Sequence, residues 1–179
     1  MKDNKIILLS CGPFEKDFLG KIALATGSEF RRPVIAEECY LDLEPFYNPG
    51  RRQYDGNKLL HHLPECTGRE YDKLIGLFKV DIFIPILTFI FGQAVLGEKT
   101  AIASVYRLRN ELYGMKQDND LLLSRTVKEV VHELGHTFGL IHCHVPTCVM
   151  RSSTYVEDID QKGSSLCPGC RALLDEGRK

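Results

Sequence analysis

Apolar residues along this chain fall into short blocks and helical stripes, never one long run. Ile6-Ile7-Leu8-Leu9 is a compact apolar block closed by Ser10-Cys11-Gly12-Pro13, which reads as a buried strand and a turn. From Phe14 to Ala25 the period changes. Phe18, Leu19, Ile22 and Ala25 recur at helical offsets and predict a first helix. Val34 to Leu43 reads as a second strand, and Tyr47-Asn48-Pro49-Gly50 is turn chemistry. Arg51-Arg52-Gln53-Tyr54 follows, its arginines read as a solvated loop, and then a helix from about Gly56 to His62. Asp81 to Ile86, Phe89 to Val95 and Ala101 to Arg107 read as strands, the last two separated by a turn at Gly97-Glu98-Lys99. Thr126 to Phe138 predicts a helix whose apolar stripe is Val127, Val130, Val131, Leu134 and Phe138. Glu129, His132, Glu133 and His136 fall on another face of it. Leu166 to Asp175 predicts a last helix. Strands interleaved with helices give an α/β class.

Composition narrows the picture. A chain of 179 residues suits one domain, here 1–179, and is long enough to bury its own core. Neither repeats nor a linker interrupt it. Lys plus Arg is 23 and Asp plus Glu is 24, for a net charge of -1, which argues against a general nucleic-acid binder. The most apolar stretch, Ile82 to Phe91, is too short to span a bilayer and contains Pro85. Met1 to Ser10 lacks the apolar length of a secretory leader. The expectation is a cytoplasmic monomer with no membrane or nucleic-acid partner. Cys11, Cys39 and Cys66 are scattered and read as buried reduced thiols.

The chemistry lies in His132-Glu133-Leu134-Gly135-His136-Thr137-Phe138-Gly139-Leu140-Ile141-His142, an HExxHxxGxxH spacing. One helical turn separates His132 from His136, so both imidazoles leave the same face and can hold one zinc ion. Glu133 beside them is the candidate general base. Gly139 permits a positive φ, so the chain can double back and offer His142 as third ligand. Three protein ligands leave a tetrahedral position open, the mark of a catalytic zinc. His144 competes as a ligand, but the offset from Gly139 favours His142. His61 and His62 read as exposed and receive no metal.

Four cysteines follow in two close pairs, Cys143 with Cys148 and Cys167 with Cys170. Paired thiolates of this kind make a closed structural zinc site. Two disulfides, or a redox Cys-Pro-Gly-Cys, are the rival readings, and nothing in the chain points to an oxidising compartment. Two zinc ions per chain are therefore expected, one catalytic and one structural.

From His132 to Cys170 the chain resembles the archaemetzincins, a branch of the metzincin zinc metallopeptidases. Cys143 follows Gly139 by four residues, and Cys143, Cys148 and Met150 match C-x4-C-x-M. Sixteen residues then precede Cys167-Pro168-Gly169-Cys170, one fewer than in the family pattern. Phe91-Gly92-Gln93-Ala94 and Arg51-Arg52-Gln53-Tyr54 extend the likeness upstream. The resemblance implies a metzincin-like zincin fold, a twisted mixed sheet packed on helices with the zinc helix beneath. It implies a catalytic zinc helix at 126–142, and a Met-turn with the four-cysteine subsite at 143–170. Met150 would form the apolar floor under the histidines. Phe89 to Val95 would be the edge strand that pairs with an extended peptide or small-protein substrate, with Gly92 and Gln93 at its end. Those two serve equally well as plain strand and turn residues. Tyr155 is a candidate oxyanion donor, though it reads as a surface tyrosine. A non-hydrolytic or very weakly active zinc protein that binds peptides is the alternative. Glu133, which such a protein would not need, favours hydrolysis.

Overall fold

The computed structural model describes residues 4–177, and its centre is built from the most continuously apolar segments. In chain order the elements are β1 (Ile6–Cys11), α1 (Lys16–Phe30), β2 (Val34–Glu38), β3 (Tyr47–Asn48), β4 (Gln53–Asp55), α2 (Gly56–His62), β5 (Lys73–Phe78), β6 (Ile82–Phe83), β7 (Gly92–Ala94), β8 (Thr100–Ser104), α3 (Asn119–Thr137), α4 (Val156–Gln161) and α5 (Pro168–Glu176). The main sheet runs β2-β1-β5-β8-β7. Its first four strands are parallel, and β7 closes one edge antiparallel to β8. A small second sheet, β3-β4-β6, stands beside it.

Strands β1 and β5 are buried along their whole length, as parallel strands covered on both faces must be. Alternate residues divide between two cores. Ile6, Leu8, Ile75, Leu77, Ala101 and Ala103 face α1, α3 and the C-terminal segment. Ile7, Leu9, Leu74, Phe78 and Ile102 face α2. Ala101 and Ala103 are small, which lets α3 pack close to β8. Val130, Val131 and Leu134 fill that interface from α3, as the predicted stripe requires.

The α/β expectation holds, with shifts that have local causes. Strand β5 carries little signal in the sequence, because Lys73 and Lys79 bracket it and Gly76 interrupts its apolar run. Gly76 is needed there, since a Cβ would stand 2.7 Å from Leu63 Cδ1. Helix α1 runs on to Phe30 and ends where Arg31 turns left-handed at φ 49. Helix α3 starts at Asn119, well before Thr126, because Asp118 caps it by accepting from Leu121 N at 2.8 Å. The expected strand from Asp81 shrinks to β6. A turn follows it, Leu87 N donating to Ile84 O at 3.0 Å. The strand after Ala101 stops at Ser104 and gives way to a 3-10 turn at Tyr106–Leu108. Helix α4 was not foreseen. It is held by two buried cations of α3: Arg125 forks onto Asp160 at 2.7 and 2.6 Å, and Lys128 donates to Ile159 O at 2.9 Å. Among the described residues no helix is long and apolar enough to cross a membrane.

Candidate metal centres and the cleft between sheet and helix

The exit of α3 is shaped by a Schellman turn. Gly139 sits at φ 88, its N–H donates to His136 O at 2.9 Å, and Leu140 N donates to Gly135 O at 3.0 Å. The last helical carbonyl, Thr137 O, accepts from the buried Lys73 ammonium at 2.7 Å, a cation placed where the helix dipole favours one. The turn brings Leu140 O within 2.7 Å of His136 Nδ1, and Val149 O lies 2.8 Å from His132 Nδ1. A carbonyl only accepts, so both Nδ1 atoms carry the proton and both Nε2 lone pairs are free. Those two Nε2 atoms face each other at 3.1 Å. Facing lone pairs repel unless a cation or proton lies between them. The spacing is close to the roughly 3.3 Å edge of a tetrahedron with ~2.0–2.1 Å metal–nitrogen distances. His142 closes the group, its ring centroid 5.3 Å from that of His132 and 4.9 Å from that of His136. Ligand atoms of all three lie within 4.8 Å of one another, whereas His144 is outside the group and exposed. Burial lowers the pKa of each of the three imidazoles, holding them in the neutral form a metal needs.

Glu133 lies beside this group, one turn after Glu129. Both carboxylates are nearly inaccessible, at 5% and 4% exposure. Burial, and then the neighbouring Glu129, push Glu133 well above the usual carboxylate range. Burial also raises Glu129, while Lys162 and the hydrogen bond with Glu133 act in the opposite sense. Lys162, 3% exposed, brings the compensating charge from beyond α4 and is anchored on Arg151 O at 3.0 Å. Nothing local in the sequence marks Lys162 as a lysine that will be buried.

Two glycines make room for Glu133 and for Met150. A Cβ at Gly92 would stand 2.6 Å from Glu133 Cγ and 2.9 Å from its Oε1, so β7 rides directly over the glutamate. At Gly135 a Cβ would collide with the sulfur of Met150, which is 0% exposed and packed against α3 at that glycine, next to His136 in the chain.

Above the histidines lies a cleft of about 390 Å³. Leu87, Phe89, Ile90 and Gly92 line one wall, Ser152 to Tyr155 line the other, and Glu129, His132, Glu133, His142 and Lys162 form the floor. Strand β7 is the sheet edge at this cleft, as expected, although it is regular only from Gly92 to Ala94. Tyr155 stands at the mouth, 65% exposed. Arg52 is exposed in the turn before β4, as expected, but Arg51 in the same turn is half-buried and engaged. Its guanidinium lies 4.2 Å over the Phe83 ring and donates to Leu87 O at 2.5 Å, on the wall of the cleft.

The four predicted cysteines converge as a second group. Cys143 Sγ is 3.8 Å from Cys167 Sγ, and Cys148 Sγ is 3.8 Å from Cys170 Sγ. That is far beyond a bonded ~2.05 Å, so the disulfide reading falls. It equals the roughly 3.8 Å edge of a tetrahedron with ~2.3 Å zinc–sulfur distances. Backbone amides serve the sulfurs: Val145 N donates to Cys143 Sγ and Cys167 N to Cys148 Sγ, both at 3.4 Å. The Cys170 N–H, in the first turn of α5, leads the causes that bring Cys167 down to about 7. The remaining cysteines are free, as read, yet they are not scattered in space. Parallel pairing of β1 with β2 sets Cys39 beside Cys11, and the Cys66 thiol also reaches Cys39. Burial raises the pKa of Cys66 to about 12 and that of Cys11 further, which marks both as unreactive, although Cys66 is only partly buried at the edge of the core.

Comparison with known proteins gives one consistent answer. The model of peptidase family M54 matches residues 14–176. An archaemetzincin of Thermococcus kodakarensis is 45% identical over 142 residues, which is 78% of this chain and 74% of that protein. The crystal structure of an archaemetzincin from Methanopyrus kandleri superposes with a TM-score of 0.86 at 32% identity, covering 99% of this chain and 96% of the other. A zinc-dependent peptidase from Methanocorpusculum labreanum gives a TM-score of 0.85 at 28% identity, covering 94% and 99%.

Proposed function

Because the chain belongs to peptidase family M54, a family of zinc metallopeptidases, we propose that it hydrolyses peptide bonds with Glu133 as general base. His132, His136 and His142 hold the catalytic zinc, and Cys143, Cys148, Cys167 and Cys170 hold a second, structural one. The observation that carries this reading is the pair of free Nε2 atoms meeting at 3.1 Å, beside a buried carboxylate and under a sheet edge.

Zinc bound by the three imidazoles would bring the pKa of a water ligand to near ~7 and polarise the scissile carbonyl. The chain's residues supply the rest. Val149 O and Leu140 O fix the two helical imidazoles through their Nδ1–H groups, so neither ring swings away from the ion. The Glu133 carboxylate takes the proton of the attacking water and delivers it to the leaving amine. Gly92 lets the edge strand approach closely enough for an extended peptide to pair there while its scissile bond lies over the histidines. Met150 fills the space under the rings and keeps them from sinking.

The test combines metal analysis with turnover of a broad peptide library, comparing wild type and Glu133→Gln. Two zinc ions in both proteins, with cleavage only in wild type, is the expected result. Equal cleavage by both would refute the role of Glu133. Peptide binding with no cleavage by wild type would favour the binding-protein alternative.

A further inference from the structure

The wall of the cleft formed by Leu87 to Phe91 is irregular backbone with few ladder bonds. Ile90 N donates to Ile82 O at 3.0 Å, and Phe91 O accepts from Ser104 N at 2.8 Å. The carbonyls of Leu87 and Thr88 are served by side chains instead. Arg51 Nη2 donates to Leu87 O at 2.5 Å and reaches Thr88 O at 3.4 Å. Gln53 Nε2 donates to Thr88 O at 3.0 Å and to Asp81 Oδ2 at 3.1 Å. Arg107 forks onto Asp81, Nε to Oδ1 at 2.7 Å and Nη2 to Oδ2 at 2.6 Å. Both guanidinium planes also carry rings. Arg51 lies over Phe83, and Arg107 lies 4.2 Å over Phe89, which meets Phe91 edge-on at 5.4 Å. The donors come from three places: Arg51 just before β4, Gln53 within it, and Arg107 in the turn after β8.

We infer that Arg51, Gln53, Asp81 and Arg107 form a clasp that fixes the cleft wall at its working distance from the histidines. They act as positioning residues for peptide binding. The inference rests on the peptidase reading of the cleft. Its physical basis is that bidentate and ring-stacked arginines hold direction as well as distance. A loop with two unserved carbonyls would instead sample many heights above the floor. Asp81 is the hub, since it orients both Gln53 and Arg107. The clasp touches the wall on the side of the small sheet and leaves the histidines, Glu133 and Met150 untouched. Its loss should therefore weaken the grip on peptide and spare the metal.

The experiment uses zinc-loaded protein and two probes, acetohydroxamate and a tripeptide hydroxamate. The first needs only the metal centre, whereas the second must also lie against the wall. In Arg51→Ala, tripeptide hydroxamate affinity should fall about tenfold, the effect of one lost charged hydrogen bond. Zinc content and acetohydroxamate affinity should stay unchanged. On cleavable peptides KM should rise while kcat holds. Arg51→Lys, which keeps the charge and one donor, should recover part of the affinity. Amide hydrogen exchange should accelerate at Leu87 to Phe91 and nowhere else. Asp81→Asn should do the same if it folds, and Arg51→Ala suffices if it does not. Unchanged tripeptide affinity with unchanged exchange in Arg51→Ala overturns the clasp. So does an equal loss of both probes, which would mean a damaged metal centre. Failure of wild type to bind either probe would sink the peptidase reading, and the exchange measurement would still decide the clasp.

Discussion

The imidazole cluster and the thiol cluster are neighbours built for opposite ends. Two of the three imidazoles come from successive turns of one helix, and the third is an exposed residue on the returning chain. Their group opens onto a cleft whose floor also holds two carboxylates and a lysine. The thiol cluster joins the 143–148 and 167–170 segments, and the amides of Val145 and Cys167 donate to its sulfurs. An ion among the imidazoles would keep a corner for substrate, while an ion among four thiolates would have none. The two are nevertheless linked. Cys143 N donates to Met150 O at 3.0 Å, and the chain between Cys148 and Met150 supplies Val149 O, which orients His132. The thiol cluster is thus continuous with the segment that orients the His132 ring.

The sharpest way to break this comparison is to remove chemistry without removing metal. Glu133→Gln should cut turnover by roughly 10²–10⁴, the usual contribution of a positioned general base. Zinc content by atomic emission should stay at two per chain, and the thermal midpoint should barely move. A variant that instead lost one zinc would make Glu133 part of the metal centre and undo the division of labour.

Next in size is the closed site. Cys167→Ser or Cys170→Ser should lower the thermal midpoint by on the order of 10 °C. That follows from several kcal/mol of metal-linked folding energy at about 2–4 °C per kcal/mol for a chain of this size. Because Val149 and Met150 lie in the loosened segment, zinc affinity at the histidines should fall too. His136→Ala should show the converse: no turnover, a nearly unchanged midpoint and an intact thiol site. Calorimetry beside metal analysis separates the two patterns. Identical midpoints across all three variants would show that the thiol cluster does not hold the fold.

The contrast also explains what could be read from sequence alone. His132, His136, Gly139 and His142 lie within a few turns of chain, so helical periodicity and one left-handed turn predict their convergence. The cysteines were legible by residue type, since two close pairs have few stable uses other than a shared ion. Features made by distant approach were not legible. Gly92 was read as a strand end, and only the structure shows Glu133 lying under it. Lys162 has no local signal for burial. The clasp reads as a polar loop until Leu87 and Thr88 are seen against Arg51 and Gln53. Strand β5, the middle of the main sheet, escaped because Gly76 breaks its apolar run to make room for Leu63.

Gly92→Ala sharpens the comparison from the sheet side. The added methyl would meet Glu133 Cγ at 2.6 Å and Ile102 O at 2.8 Å, so either the glutamate or β7 must move. Overpacking of this kind costs about 1–3 kcal/mol. Turnover should fall well beyond what that instability explains, with both zinc ions retained. An active, equally stable Gly92→Ala variant would mean that β7 does not ride on the glutamate during catalysis.

The smallest effect is expected under the rings. Met150 is fully buried and lies against Gly135, where it touches α3 through its sulfur. If its part is to fill space, Met150→Leu should cost less than about 1.5 kcal/mol, as volume-conserving core exchanges do. Turnover should then change by no more than a few-fold. Leucine branches at Cγ, where the unbranched methionine runs on to its sulfur, so the strain it causes should appear at Gly135 and in the pitch of the His136 ring. Gly135→Ala provides the matching disturbance from the helix side and should cost more, because there the methionine has to leave. If Met150→Leu instead emptied the imidazole site while sparing the thiol site, packing alone would not account for the floor. The soft, polarizable sulfur would then be part of what keeps three rings aimed at one ion.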